Sequence, residues 1–311
     1  MTHRPLLVGE EARRVSKHAC NEEGMKESLT SSAYWSMTEG IFNCLIDTRR
    51  THAFARAIRR TVREGDVVVD MGSGSGVLAM LAAKAGAKVV YAIENDPNNL
   101  RHLQATFALN GFGDAIRVIE GSVLEVVLPE KVDVVIGEMI ATALIEELQV
   151  PAMNHILKFA KRNVRVLLQR YDTKIDLVHN RNRYYGLQFD IPRYEYPGER
   201  ILESLPLSKK ALVHSHDFTR LTEDFRVERE LSIRTEKSGV CNGLRLSGTT
   251  TFCDGSRLGA TFAYSYPLIL PVPAMRVKPG ATFDVTLTYI VAGGMGSLKY
   301  SVTDRSRRAT P

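Results

Sequence analysis

The spacing of apolar and polar positions changes character about half-way along the chain. Up to residue 159, short apolar runs alternate with stretches of helical spacing. The pattern predicts strands at 67–71, 89–93, 116–120 and 132–139, and helices at 76–86, 97–109 and 143–159. Because strands alternate with helices, we expect a parallel, doubly wound α/β sheet.

Beyond VRVLLQRYD (164–172) the period becomes two. Residues 173–303 alternate apolar and polar side chains, with Gly and Pro between the runs, which is typical of an antiparallel β domain. We therefore place a domain boundary near residue 170. The expected organisation is a flexible tail (1–30), an α/β domain (31–170), a β domain (171–303) and a basic tail (304–311).

Helical spacing also marks the segment before the first strand. From Ala33 to Gly65, apolar residues recur at Ile41, Leu45, Phe54 and Ile58. This segment leads directly into the first strand, so we expect it to lie over the ligand site at the end of that strand.

Composition limits the classes of protein to consider. The net charge of +6, from 41 Lys and Arg against 35 Asp and Glu, is modest and does not indicate a nucleic-acid partner. The charged N-terminus resembles no signal peptide, and no apolar stretch is long enough for a membrane span. The four cysteines lack the spacing of metal ligands, so we expect free thiols, no metal site and a cytoplasmic location.

The chemistry of the chain is concentrated in VVVDMGSGSGVLAMLAAKAGAKVVYAIEN (67–95). A strand ends at Asp70, glycines follow at 72, 74 and 76, and the next strand ends at Glu94. Such a turn lets a ligand approach the backbone, and the second acid can accept hydrogen bonds from ribose hydroxyls. Asp70 would repel a pyrophosphate but tolerates the cationic groups of S-adenosylmethionine. The motif therefore favours this cofactor over a dinucleotide.

Several motifs in order resemble the protein arginine methyltransferase family. They are DTRRTHAFARAI, the glycine motif, VIEGSVLEVVLPEKVDVVIGEMI and the β-rich second half, covering roughly 34–300 and strongest over 47–147. The resemblance implies a Rossmann-like methyltransferase domain followed by an antiparallel β-barrel-like domain. It also implies that Arg50 pairs with the cofactor carboxylate, since the guanidinium fork suits a bidentate contact, although adjacent Arg49 is a rival.

The same resemblance implies catalytic carboxylates in a hairpin after the fourth strand. Glu138 and Glu147 are the matching acids, and together they would bind and orient a guanidinium. Glu146 competes for the second position, and both Glu146 and Glu147 are also explained as helix-surface charges. The cofactor site then comprises ten residues: Arg50, Asp70, Gly72, Ser73, Gly74, Glu94, Asn95, Ser122, Val123 and Glu138.

The sequence departs from the family pattern at three positions that concern binding of the methyl acceptor and of the cofactor adenine. The Tyr-Phe-x-x-Tyr motif is reduced to Tyr34-Trp35, and Leu124 stands where a glutamate usually reads adenine, with Glu125 beside it. The Thr-His-Trp loop maps near 262–264 and has no His to pair with Asp47. Three interpretations stay open: an arginine methyltransferase of proteins, a methyltransferase of small guanidino or amino compounds, or a silent scaffolding partner of an active enzyme.

Residues 186–220 stand where the family carries a dimerisation arm. Phe189, Tyr194 and Tyr196 are the aromatics in this segment that could anchor a second copy. The resemblance therefore implies a homodimer, with the methyl acceptor bound between the two domains of each chain.

Overall fold

A five-stranded parallel sheet forms the first part of the fold. The structure is a computed structural model that describes residues 39–198 and 204–305. The sheet contains β1 (Val67–Met71), β2 (Val89–Glu94), β3 (Ile116–Glu120), β4 (Val132–Gly137) and β5 (Ala160–Val166). Its strand order is β3-β2-β1-β4-β5, with parallel pairing throughout. The order reverses between β1 and β4, which is where open α/β sheets bind ligands.

Within the described ranges, five α-helices accompany this sheet. They are α1 (Glu39–Ile46), α2 (Thr48–Thr61), α3 (Val77–Lys84), α4 (Pro97–Leu109) and α5 (Gln149–Ile156). Two of these helices have an aspartate N-cap. The Asp47 carboxylate accepts from the Arg50 N–H at the start of α2, and the Asp96 carboxylate accepts from the Asn98 N–H at the start of α4. Among the described residues, no helix is long and apolar enough to cross a membrane.

Antiparallel strands make up the rest of the described chain. The larger sheet has the order β10-β6-β13-β15-β9, with β11 beside β6 and β14 beside β13, and a second sheet has the order β12-β16-β17. The strands are β6 (Leu168–His179), β7 (Arg183–Tyr184), β8 (Leu187–Gln188), β9 (Arg193–Tyr194), β10 (Leu205–Pro206), β11 (Ala211–Asp217), β12 (Arg226–Arg234), β13 (Gly239–Phe252), β14 (Arg257–Leu258), β15 (Leu268–Val277), β16 (Thr282–Ile290) and β17 (Lys299–Asp304).

Helix α2 packs against both kinds of sheet. Its apolar face includes Phe54, which meets Phe252 edge-to-face at 5.0 Å between ring centroids and Tyr264 at 6.1 Å. These rings are fully buried, and aromatic pairs in this arrangement gain about 0.5–1.5 kcal/mol beyond their burial. The N-terminal helices are thereby fixed between the two sheet systems, next to the end of β1.

The sequence predicted most of these elements. Four parallel strands and helix 97–109 lie where expected, and the parallel and antiparallel sheets confirm the fold class. The change of sheet falls between Val166 and Leu168, slightly before the predicted boundary at 170. The tail at 1–30, the Tyr34-Trp35 pair and residues 306–311 lie outside the described residues.

The predicted helix at 143–159 is wrong in its first half. Residues Thr142–Leu144 form a single 3₁₀ turn in which Ala143 and Leu144 have φ of 58° and 59°, and the helix begins only at Gln149. The Leu144 carbonyl accepts from the Ala292 N–H at 2.8 Å, and the Ile145 carbonyl accepts from the Gly294 N–H at 2.9 Å. These tertiary hydrogen bonds stabilise a hairpin over the local helical preference.

Candidate active site

The glycine turn lies at the carboxyl end of β1. Gly72, Gly74 and Gly76 all have positive φ, between 54° and 75°, which side chains rarely adopt. A Cβ on Gly76 would lie 2.4 Å from the Phe107 ring of α4, and one on Gly72 would lie 3.2 Å from the Met139 sulfur. The turn is thus shaped both by backbone conformation and by close packing from two directions.

Asp70 places a buried carboxyl group beneath this turn. Asp70 is 1% exposed. Neither of its carboxylate oxygens accepts a hydrogen bond of normal geometry from a described residue. Burial raises the pKa of Asp70 to about 7; Glu94 adds to the shift, and the nearby Ser73 and Ala79 offset part of it. A buried acceptor without a partner favours a cationic ligand group, such as an ammonium or sulfonium.

Glu94, at the end of β2, closes over the glycine turn. Its Oε2 accepts from the Gly74 N–H at 2.9 Å and from the Asn99 amide at 3.2 Å. Its Oε1 accepts from the N–H groups of Asn95 and Asp96 at 2.9 and 3.0 Å. Glu94 therefore lies at the end of β2, where the sequence predicted a residue that binds ribose. Its hydrogen bonds also stabilise the glycine turn.

Sequence reasoning missed Asn99. This buried residue of α4 donates its amide to the Gly74 carbonyl at 2.7 Å as well as to Glu94. The signal was its position just after the Asp96 cap, where the start of α4 faces the glycine turn. Asn99 is a positioning residue for that turn.

Residues after β3 occupy the far end of the site. Gly121 donates its N–H to the Glu94 carbonyl at 2.9 Å, which places the following Ser122 and Val123 beside β2. Ser122 accepts from the Leu124 N–H at 3.2 Å, while Val123 is buried. Leu124 packs against the core, so this chain presents an apolar side chain at the position where the family pattern has an adenine-binding acid.

Arg50 joins the N-terminal helices to the end of β4. Both its Nε, at 2.9 Å, and its second terminal nitrogen donate to Glu138 Oε2, and its first terminal nitrogen donates to the Cys44 carbonyl at 3.2 Å. Arg50 is 4% exposed, whereas Arg49 faces solvent. The structure therefore brings Arg50 rather than Arg49 into the site, as expected.

Glu147 lies close enough to Glu138 for their charges to interact, whereas Glu146 is exposed. The side chain of Glu138 is 7% exposed, and its Oε1 accepts from the Ile140 N–H at 2.8 Å. Burial and the neighbouring charge of Glu138 raise the pKa of Glu147 well above its usual range. Glu146 is exposed, and its carboxylate accepts from the Tyr194 hydroxyl. Two acids forced together in this way favour a cation between them.

A threonine makes the contact for which the family pattern uses a histidine. Asp47 accepts from the Thr261 hydroxyl and, at 2.8 Å, from the Ala263 N–H. The Cys44 thiol lies 3.7 Å from the Ala263 carbonyl. The loop at 261–264 is therefore attached to the α1–α2 junction without a histidine.

Tyr194, one of the aromatics predicted to anchor a second copy, is half-buried against its own chain. Its hydroxyl donates to Glu146 and its ring meets Tyr266, so it packs within its own chain. Ala211–Asp217 is a strand paired with β6, so the dimerisation arm predicted at 186–220 cannot extend that far. A strand with polar side chains on one face is easily read as an insertion when its partner is distant in sequence. The remaining aromatic, Phe189, contacts Tyr184.

Comparison with known proteins supports a methyltransferase. Residues 49–164 match the model of the ribosomal protein L11 methyltransferase (PrmA) family. A rice protein, Protein arginine N-methyltransferase PRMT10, is 43% identical over 105 residues, which are 33% of this chain and 27% of that protein. The match spans about a quarter of this relative's length.

Solved structures share the fold over most of the chain. A Trypanosoma brucei PRMT1 enzyme–prozyme complex with AdoHcy has a TM-score of 0.68, at 20% identity over 85% of this chain and 96% of that one. Arabidopsis thaliana protein arginine methyltransferase 10 has a TM-score of 0.69, at 17% identity over 84% of this chain and 95% of that one. These likenesses establish the fold, and the glycine turn with Asp70 fits S-adenosylmethionine as the cofactor.

An archaeal sequence matches along most of the chain. The uncharacterized protein MJ1452 of Methanocaldococcus jannaschii is 34% identical over 263 residues, which cover 84% of this chain and 95% of that protein. Together with the arginine methyltransferase relatives, this match confirms the resemblance seen in the sequence. The chain belongs to the same family as MJ1452, and it is similar in part of its length to protein arginine methyltransferases.

Proposed function

We propose that this protein is an S-adenosylmethionine-dependent N-methyltransferase whose acceptor is an arginine guanidinium in a protein. The observation that carries the proposal is the convergence of Glu138 and Glu147 beside Arg50, with Glu146 held outside by Tyr194. A methyltransferase for a neutral nucleophile would gain nothing from two neighbouring acids, because the repulsion between two carboxylates is costly.

The acids would act by binding and orientation. A guanidinium is planar and presents paired N–H donors that match carboxylate oxygens, so Glu138 and Glu147 together can fix its plane. Its positive charge would offset the repulsion that now raises the pKa of Glu147. With both acids ionised, electron density on the nearer nitrogen increases, which favours its attack on an electrophile.

The other half of the reaction depends on the cofactor site. When bound, S-adenosylmethionine supplies an activated methyl group. Asp70 would hold its cationic amino-acid portion, Arg50 its carboxylate, Glu94 its ribose, and Gly72, Ser73 and Gly74 would line the turn. Asn95, Ser122 and Val123 lie at the ends of β2 and β3, where they would border the adenosine.

Two alternatives lead to different outcomes. A small guanidino compound could use the same acids, and the departures at Leu124 and at the 261–264 loop are compatible with a changed acceptor. A silent scaffolding partner would have no need of an orphan buried Asp70, which costs stability without a ligand. The retained acids thus favour an enzyme.

Labelled S-adenosylmethionine identifies the acceptor directly. We would incubate the protein with arginine-rich peptides, lysine-rich peptides and small guanidino or amino compounds in parallel, and hydrolyse the peptide products to amino acids. The proposal expects label in methylarginine from the peptides. Label in lysine, or transfer only to small compounds, would reject a protein arginine acceptor, and no transfer to any pool would favour the scaffolding role.

We also propose that the protein is a cytoplasmic homodimer. The support is the family resemblance together with the hairpin β7–β8, where Tyr185, Leu187 and the following Ile191 are 98%, 63% and 61% exposed. Apolar side chains exposed together commonly mark an interface.

A further inference from the structure

Three tyrosines form a continuous surface beside the paired acids. Tyr266 is central: its ring centroid lies 6.1 Å from that of Tyr194 and 4.8 Å from that of Tyr196, both in edge-to-face geometry. Tyr196 is 47% exposed, and the other two are half-buried. We name Tyr194, Tyr196 and Tyr266 the tyrosine wall.

The tyrosine wall is attached at two points to residues 138–147, the segment that carries the paired acids. The Tyr194 hydroxyl donates to Glu146, and the Tyr266 carbonyl accepts from the Thr142 hydroxyl. Both partners belong to the segment that carries Glu138 and Glu147. Burial raises the pKa of Tyr266 to about 12, and Tyr196, Cys44, Asp47 and Glu138 add to the shift. The Tyr266 side chain is therefore within electrostatic range of the acid that binds Arg50.

The tyrosine wall extends beyond what a guanidinium alone requires. Glu138 and Glu147 suffice to bind the reacting group, yet three rings continue from them to a side chain that is half exposed. The Tyr266 hydroxyl donates to the Phe262 carbonyl at 2.7 Å, which attaches the 261–264 loop to the central ring of the tyrosine wall. Exposed aromatic faces bind polypeptide backbone and cations, and an adjacent acid such as Glu146 strengthens the preference for cations.

We infer that the tyrosine wall binds the polypeptide flanking the acceptor arginine and favours a Lys or Arg side chain beside it. This inference rests on the proposed function, since it assumes that the paired acids hold a guanidinium. A chain lying along Tyr266 and Tyr196 would place one basic neighbour between the rings and Glu146. The substrate class is therefore a basic peptide segment, not a free guanidino compound.

Variants of Tyr196 test this inference, because its exposure makes them compatible with folding. The substrates are a glycine-rich peptide with one arginine, the same peptide with a lysine next to that arginine, and Nα-acetyl-arginine amide. Tyr196→Ala should raise the KM for the lysine-containing peptide about tenfold, the size of a lost aromatic–cation contact. It should leave kcat, S-adenosylmethionine affinity and the KM of the small amide within about twofold.

Two further variants serve as controls. Tyr196→Phe keeps the ring and should restore the wild-type KM, while Leu109→Ala removes a side chain that is 86% exposed on α4 and should change nothing. An unchanged peptide KM in Tyr196→Ala, or an equal rise for the peptide and the small amide, would overturn the inference.

Equilibrium binding separates this inference from the proposed function. Fluorescence anisotropy of the labelled lysine-containing peptide with protein and S-adenosylhomocysteine does not depend on turnover. Weaker binding to Tyr196→Ala supports the role of the tyrosine wall even if no methyl transfer occurs, an outcome that would reject the proposed function alone. Equal binding to wild type and Tyr196→Ala, or no binding to either, would overturn the inference.

Discussion

Asp70 carries the clearest electrostatic signature of any single residue in the cofactor site. Its pKa in the folded protein is about 7 against an ordinary 3.8, so the folded state binds a proton more readily than the unfolded chain. The group therefore favours folding at low pH, and that contribution is lost as the pH rises from about 4 through about 7.

Asp70→Asn should reveal the stability that the folded protein loses when Asp70 is ionised. At pH 8 the variant should raise the free energy of unfolding of the cofactor-free protein by about 1–2 kcal/mol, because a buried unpartnered charge is removed. At pH 4 the two proteins should be nearly equally stable. Denaturant titration at both pH values measures this, and a stabilisation that does not depend on pH would contradict the assignment.

The same residue should control cofactor affinity. S-adenosylmethionine should bind wild type more tightly as the pH rises through about 7, because Asp70 becomes the anion that its cationic groups require. Asp70→Asn should bind it more weakly and without this dependence. Calorimetry across pH 6–8 measures both affinities, and parallel pH profiles would exclude Asp70 as the cause.

At the scale of elements, the loop at 261–264 is held to the α1–α2 junction by two donors to Asp47, the Thr261 hydroxyl and the Ala263 N–H. Thr261→Val keeps the shape of the side chain but leaves an oxygen of Asp47 without that donor. We expect a loss of about 1–3 kcal/mol in unfolding free energy and at least a tenfold lower kcat/KM.

Thr286→Val is a suitable control for this prediction. Its hydroxyl pairs with Ser301 on an exposed strand face, so the change should cost less than about 0.5 kcal/mol. If Thr261→Val behaves like Thr286→Val in both stability and activity, the attachment at Asp47 is not what holds the loop.

Packing between α4 and the glycine turn gives a second prediction at this scale. Gly76 and Gly111 have φ of 75° and 76°, but only at Gly76 would an added Cβ lie within 3 Å of neighbouring side-chain atoms. Gly76→Ala and Gly111→Ala therefore share the backbone strain of about 1 kcal/mol, and Gly76→Ala adds overpacking of about 1–3 kcal/mol. Equal melting temperatures for the two variants would contradict this packing.

The sequence predicted features that depend on neighbouring residues and missed those that depend on contacts between distant residues. The runs at Val67–Met71 and Val89–Glu94 and the glycines between them are local signals, and they predicted both the sheet and the cofactor turn. The hairpin at 142–145 depends on hydrogen bonds to residues near 292, and Thr261 contacts Asp47 across 214 positions. No local pattern encodes such contacts. The sequence therefore predicted a helix at Ala143, and it did not reveal that Thr261 contacts Asp47 in place of a histidine.

For the whole molecule, the prediction concerns assembly into a dimer. If the β7–β8 hairpin contacts a second copy, replacing Leu187 and Ile191 by Ser should dissociate the dimer at micromolar concentration, since buried apolar anchors contribute about 2 kcal/mol or more each. Light scattering of wild type and variant measures this. A wild-type monomer at tens of micromolar would reject the dimer.

The assignment of the second acid is the central claim, and one comparison of methyl transfer tests it most directly. Glu147→Gln and Glu146→Gln each replace one carboxyl group by an amide at adjacent positions, one near Glu138 and one bonded to Tyr194. With an arginine peptide as substrate, Glu147→Gln should lower kcat by about two orders of magnitude while cofactor affinity stays within a few-fold, and Glu146→Gln should retain most of its kcat. Normal turnover by Glu147→Gln would contradict the account.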